Sequence, residues 1–224
     1  MIVTSILVWA INKINKIFGR DSNKFLKHIT GLIHIGANTG QERNLYKKHG
    51  LNVVWIEPIP EVYKKIKKEY KKQKAIKALV TDKNNKEYKF NIANNGGASS
   101  SILKLEKHKD IWPDVFYEET ILLNSVTLER LIEKENIKIK DYQALVLDTQ
   151  GSELLVLEGS ISVLKHFKYI ATEVADFESY KDCCTLSDIK KFMKQHNFQE
   201  NYRSKFAEST KGGSYFDILF KRID

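Results

Sequence analysis

Cysteine is scarce in this chain of 224 residues: Cys183 and Cys184 are the two present, and they are adjacent. Neighbouring residues rarely reach disulfide geometry with each other, so no cross-linked framework is expected. A reducing, cytoplasmic setting is the simpler expectation. Neither cysteine has partners at metal-ligand spacing, and no metal site is expected. Three prolines and 11 glycines are too few for a linker-rich or low-complexity architecture. No segment repeats at a fixed period. The apolar run at residues 2–11 is too short to span a bilayer. No positive charge precedes that run and no small-residue cleavage site follows it, which argues against a secretory leader.

What is present suits one domain with a buried core, since 42% of residues are hydrophobic and 29% charged. The formal charge of +9 raises a non-catalytic basic module for RNA or membrane as one reading. Much of the excess sits in EVYKKIKKEYKKQKAIK (61–77), where Val62, Ile66 and Tyr70 stand four apart. That spacing gives one apolar stripe with lysines on the remaining, solvated faces. The N-terminal stretch, residues 1–25, has isoleucines at helical spacing among Asn and Lys, and reads as an amphipathic helical segment ahead of a domain at 26–224. Residues 1–18 then offer a helix packed on the domain or against a second subunit in a homodimer, or one lying on a membrane surface.

From residue 30 onward apolar strands alternate with helical patterns. LIHI (32–35), NVVWIE (52–57), AIKALV (75–80), YQALVLD (142–148) and YIATEVA (169–175) read as strands, the second and fourth buried on both faces. EYKFNIA (87–93) has the period-two mark of a half-exposed strand, and SYFDILFKRI (214–223) closes the chain as another. Helices are expected at 39–48, from Pro60, after Thr127, at 152–167 with a break near Gly159, and at 185–198. Such alternation implies right-handed crossovers and a doubly wound, mainly parallel α/β sheet. Ligands on these sheets sit beyond the carboxyl ends of the strands. Those ends fall at residues 36–40, Glu57 with Pro58, Thr81 with Asp82, 148–151, and Glu173, with an acid at four of them.

The first end is a glycine turn. Gly36 lets the chain leave its strand sharply, Asn38 tolerates positive φ, and Gly40 lets the next helix pack closely on the strand or a ligand. Exposed amides at that helix start would favour a carboxylate or phosphate. Glu57, at the next strand end, suits the two hydroxyls of a ribose. Residues alone leave a nicotinamide dinucleotide oxidoreductase and an adenosine-tailed cofactor both open. The pattern is GxNxG, and Gln41 stands where a third glycine would press on a pyrophosphate.

Four segments carry a resemblance to a known family: HIGANTGQE (34–42), VVWIEPIPEVYKKI (53–66), GGASSSI (96–102) and LVLDTQGSELLVLEGS (145–160). With them the chain resembles the FkbM-type methyltransferases, which use S-adenosylmethionine, over roughly residues 30–220. The resemblance implies a Rossmann-like class I methyltransferase fold with an antiparallel C-terminal strand. It also implies that Gly36, Ala37, Asn38 and Gly40 approach the methionine portion of the cofactor. Glu57, followed by Pro58, would hold the ribose hydroxyls, and Asp82 would face the adenine amino group. Ser100 would reach over the ligand from the serine loop, and Asp148 would stand beside both cofactor and acceptor. The family more often has an acid where His34 stands, so a neutral imidazole is expected to accept a bond from the cofactor's ammonium, directly or through water.

Methyl transfer to a hydroxyl needs a positioned nucleophile and a group that takes its proton. Asp148, Glu153 and Glu173, at or just past strand ends, are the candidates. A capping role on the amides that open the next helix is the alternative for Asp148. Methyltransferases acting on exocyclic base amines resemble one another in a Pro-Pro-aromatic motif where this chain has DTQG, and cytosine C5 chemistry needs a cysteine in a different context. The expectation is therefore an O-methyltransferase for a sugar, glycan or related small molecule, with no nucleic-acid partner.

Overall fold

The computed structural model describes residues 22–223, and the expectations for residues 1–21 lie outside it. A 3-10 helix at Ser22–His28 brings Phe25 and Leu26 into the core. Strands β1 (Gly31–Ile35), β2 (Asn52–Ile56) and β3 (Lys74–Ile76) follow, joined by helices α1 (Arg43–Lys48) and α2 (Pro60–Glu69). Next come β4 (Leu79–Val80), β5 (Glu87–Ala93), β6 (Tyr117–Val126), α3 (Leu128–Lys134) and β7 (Ala144–Leu147). Helices α4 (Glu153–Glu158) and α5 (Ile161–Leu164), strand β8 (Tyr169–Ala175), helix α6 (Leu186–Gln195) and strands β9 (Phe198–Glu208) and β10 (Ser214–Arg222) complete the chain.

The main sheet has seven strands in the order β3-β2-β1-β7-β8-β10-β9. Pairings from β3 to β8 are parallel, whereas β10 runs antiparallel to both of its neighbours. The fold is thus the Rossmann-like, doubly wound arrangement expected, with the last strand reversed. Strand order turns back between β1 and β7, which places a crevice above those two strands.

Both faces of the central strands are buried, which accounts for their unbroken apolar runs. Ile33 and Ile35 pack with Leu145, Leu147, Val156 and Ile189 on one side. Leu32, Val53, Trp55, Tyr46 and Val146 fill the other. In α2, Pro60 takes a first-turn position, Val62 and Ile66 are buried, and the lysines face solvent. Gly50, at φ +66°, ends the α1 segment as expected. Thr185 and Asp188 form a reciprocal capping box that starts α6.

Three segments differ from the sequence reading. The apolar run at 75–80 divides, with β3 in the main sheet and β4 in a separate three-stranded sheet ordered β4-β6-β5. The long strands β6 and β9 escape the pattern reading, because one builds that small sheet and the other is a half-exposed edge. The first helix starts at Arg43, after a turn, instead of at Thr39. Among the described residues no helix is long and apolar enough to cross a membrane.

Candidate active site

The carboxyl ends of β1, β2, β4 and β7 enclose a cleft with about 510 Å³ of empty space, open to solvent. Gly36, Asn38, Glu57, Pro58, Ser100 and Asp148, all singled out from sequence, line it together. Ala78, Leu79, Val80 and Phe90 add an apolar slot, and Thr149, Gln150 and Ser152 complete the β7 side.

The glycine turn owes its shape to its neighbours. A Cβ on Gly36, at φ +79°, would sit 1.9 Å from the carbonyl oxygen of Asp148, so the ends of β1 and β7 meet backbone to backbone. A Cβ on Gly40 would strike the Tyr70 ring at 2.5 Å, and the Tyr70 hydroxyl donates to the Thr39 carbonyl at 2.7 Å. Gly40 therefore makes room for a side chain from the end of α2. The turn amides are also engaged: Gly36 and Ala37 donate to the Ile56 carbonyl, Asn38 to Glu57, Thr39 to the Asn38 side chain and Gly40 to the Ala37 carbonyl. The expected cradle of amides for an anion is thus already satisfied within the chain.

Glu57 is the hinge of this arrangement. Its Oε2 accepts from the Asn38 amide at 2.8 Å and its Oε1 from the Ile59 amide at 2.9 Å, so one carboxylate ties the β1 turn to the β2 turn. Each oxygen keeps a further lone pair for a donor in the cleft. Burial pushes its pKa up to about 7, against the pull of the two amides, with nearby Asp148 raising it further.

At the end of β7 the capping and cleft-facing roles are divided. Glu153, not Asp148, holds the loop amides: it accepts from Thr149 N at 2.8 Å, Thr149 Oγ1 at 3.1 Å and Gly151 N at 3.0 Å. Burial lifts the pKa of Glu153 to about 7, and Asp148 adds to the rise. Asp148 instead faces the cleft, its Oδ1 accepting from Gln150 Nε2. Gln150, at φ +54°, accepts from the Tyr180 hydroxyl at 2.7 Å. Sequence reasoning missed Gln150 and Tyr180, since their link crosses from the β7 loop to the segment after β8.

The serine loop is stapled onto the same site. Ser100 Oγ accepts from Ala93 N, Ser101 Oγ donates to the Gln150 carbonyl, and Ser99 bonds the Asn95 side chain and lies 3.3 Å from His108 Nε2. Asn38 Nδ2 reaches the Gly96 carbonyl and closes the loop over the glycine turn. His108 is buried against Trp112 and Tyr180, away from the cleft lining.

Four other expected site residues lie elsewhere. His34 is buried under the turn, stacked on Trp55 with ring centroids 5.5 Å apart and Nδ1 3.7 Å from Glu42. It shares a small cavity with Asp148, Glu173 and Asp217. Glu173 also borders a second cavity beside Tyr180. Ala37 is buried in the core. Asp82 is outside the cleft lining, with its carboxylate near the Tyr88 hydroxyl and Lys83. Among the described residues, no group of three or more His, Cys, Asp or Glu side chains is placed to hold a metal ion.

The two raised carboxyls set the pH response of the fold. Below about pH 4.5 both states hold these protons. Between that value and about 7 the unfolded chain has released them while the folded chain keeps them, so their stabilising contribution is lost as pH rises through 7. Urea melts are expected to give a stability that declines from pH 5 to pH 7.5, with a shallower decline in Glu153→Gln. An identical slope in that variant would contradict the assignment.

The family model described as the methyltransferase FkbM domain matches residues 34–200. Among solved structures, M. capricolum TrmK in complex with S-adenosyl-homocysteine is similar at TM-score 0.51 and 12% identity, covering 92% of this chain and 69% of that one. Sp1610 of Streptococcus pneumoniae, described as a candidate tRNA (m1A22) methyltransferase, gives TM-score 0.50 at 10% identity over 92% of this chain and 70% of its own. The methyltransferase domain of METTL16 gives TM-score 0.51 at 11% identity over 96% and 66%. At such identities these likenesses speak to the fold. No curated protein matches the chain significantly.

Proposed function

The chain belongs to the FkbM methyltransferase family, with S-adenosylmethionine as its methyl donor, and we propose that it methylates a hydroxyl of a sugar, glycan or related small molecule. The observation that carries this reading is that Glu57 and Asp148 line one cleft at the point where strand order reverses. Its chemistry also fits the cofactor: the apolar slot of Ala78, Leu79, Val80 and Phe90 suits a flat base, and Glu57 suits a diol. Asp82, outside the lining, is not needed for that fit.

When bound, S-adenosylmethionine supplies an electrophilic methyl carbon on a sulfonium. The chain's own residues do the rest. Glu57 accepts from the ribose hydroxyls while still holding the amides of Asn38 and Ile59. Asp148, oriented by Gln150, takes the proton of the acceptor hydroxyl. Glu153 keeps the loop carrying both in shape, which makes it a positioning residue. Glu173 borders the small cavity that Asp148 also lines and is the second carboxyl beside the acceptor hydroxyl. The acids at the end of β7, where base-amine methyltransferases have a Pro-Pro-aromatic motif, support an oxygen acceptor.

Calorimetric titration with S-adenosylhomocysteine and with NAD tests the cofactor assignment. Micromolar binding of the first and none of the second is expected. Tight NAD binding without S-adenosylhomocysteine binding would remove the proposal.

A further inference from the structure

Next to the cofactor cleft lies a second cavity that the cofactor reading does not use. It has about 270 Å³ of empty space, part of it open to solvent, and is bordered by Gln150, Glu173, Ser179, Tyr180, Cys184 and Tyr215, among others. The side chain of Gln150 is common to the linings of both spaces. That side chain accepts from Tyr180 and donates to Asp148, linking the second cavity directly to the acid facing the cofactor.

Tyr215 is the unusual member. It stands on β10 opposite Ala175 and is 7% exposed. Its hydroxyl is buried with no hydrogen-bond partner of normal geometry, although Ser179 lies close by. Buried hydroxyls left this way are uncommon and call for an explanation. The ring cannot easily swing to water, because Trp112, Phe177 and Phe206 pack around it with centroids 5.2, 5.4 and 5.7 Å away. Rigid rings thus hold an unsatisfied donor at the wall of a small polar space.

We propose that this space is part of the acceptor subsite and that the Tyr215 hydroxyl donates to an oxygen of a polyhydroxylated acceptor. The proposal rests on the methyltransferase reading above and adds to it a place for the acceptor. Tyr215 and Ser179 bring hydroxyls and Glu173 a carboxyl to the lining, while the Tyr180 hydroxyl and the Gln150 amide already serve each other and Asp148. Burial raises the phenol's pKa, with Glu173 and Glu153 adding to the rise, so Tyr215 remains a donor at neutral pH. A ligand bound there touches Gln150 and so presses on the residue that orients Asp148.

The test uses the full chain with 13Cζ-labelled tyrosine and saturating S-adenosylhomocysteine. Methyl α-glucoside, methyl α-mannoside and methyl α-rhamnoside are added in turn, and the Tyr215 line is identified by its absence in Tyr215→Phe. At least one glycoside is expected to move that line, and its affinity should fall about tenfold in Tyr215→Phe. The same variant should melt no lower than the parent, because it removes an unsatisfied hydroxyl and nothing else. A Tyr215 line that no glycoside moves, equal glycoside affinity in the variant, or a melting point several degrees lower would each overturn the proposal. Failure of the methyltransferase reading has its own sign, absence of S-adenosylhomocysteine binding before any glycoside is added, and it takes the subsite with it.

Discussion

Asp148→Asn is expected to lower kcat for methyl transfer about 10²–10⁴-fold, the usual worth of a positioned general base. The amide is nearly the same size, and it still offers an oxygen to Gln150 Nε2, so the loop should keep its course. What it loses is the ability to take a proton as the acceptor oxygen attacks. The loss should therefore fall on kcat, with KM for the cofactor changed much less. Single-turnover rates with saturating S-adenosylmethionine would separate the chemical step from product release. Normal turnover in this variant would remove Asp148 from the reaction and turn attention to Glu173, its neighbour around the small cavity.

The second large effect is on binding. Glu57→Ala is expected to weaken S-adenosylhomocysteine by about 2–4 kcal/mol, two charge-assisted bonds, or roughly 30- to 700-fold. The same change leaves the buried amides of Asn38 and Ile59 without their acceptor. Part of the loss would then come from a slack turn and not from the missing ribose contacts. Glu57→Gln divides the two causes, because its amide oxygen can still accept from one of those groups. Calorimetry paired with thermal melting should find the glutamine variant closer to the parent in melting temperature than in affinity. Neutralising Lys64, Lys67 and Lys71 should leave the affinity near its parent value, the reverse of what a basic binding module requires.

The central strands were readable because each is apolar on both faces and bounded by turn residues. A parallel sheet then forces their carboxyl ends onto one edge, which is why Glu57 and Asp148 could be paired from sequence. The edges were harder. YEETILLNSV and FQENYRSKFAE alternate loosely, and their pairing with β5 and β10 is decided by distant partners and not by local pattern. Glycine reasoning was right about conformation and incomplete about cause, since the neighbour that Gly40 accommodates is Tyr70, thirty residues on. The roles of Asp148 and Glu153 could not be separated from spacing, because both stand within reach of the same amides. His34 reads as a strand-end ligand in one dimension and packs against Trp55 and Glu42 in three.

The contact between Gly36 and the Asp148 carbonyl also bears on how the protein comes to exist. The two halves of the candidate cofactor floor are made far apart in time at the ribosome, and β7 must be inserted beside β1 before the halves meet. Such remote pairings form slowly. A nascent or truncated chain ending before β7 is therefore expected not to bind S-adenosylmethionine. Cofactor added during refolding cannot hasten the early steps; it can only hold the finished sheet against reopening.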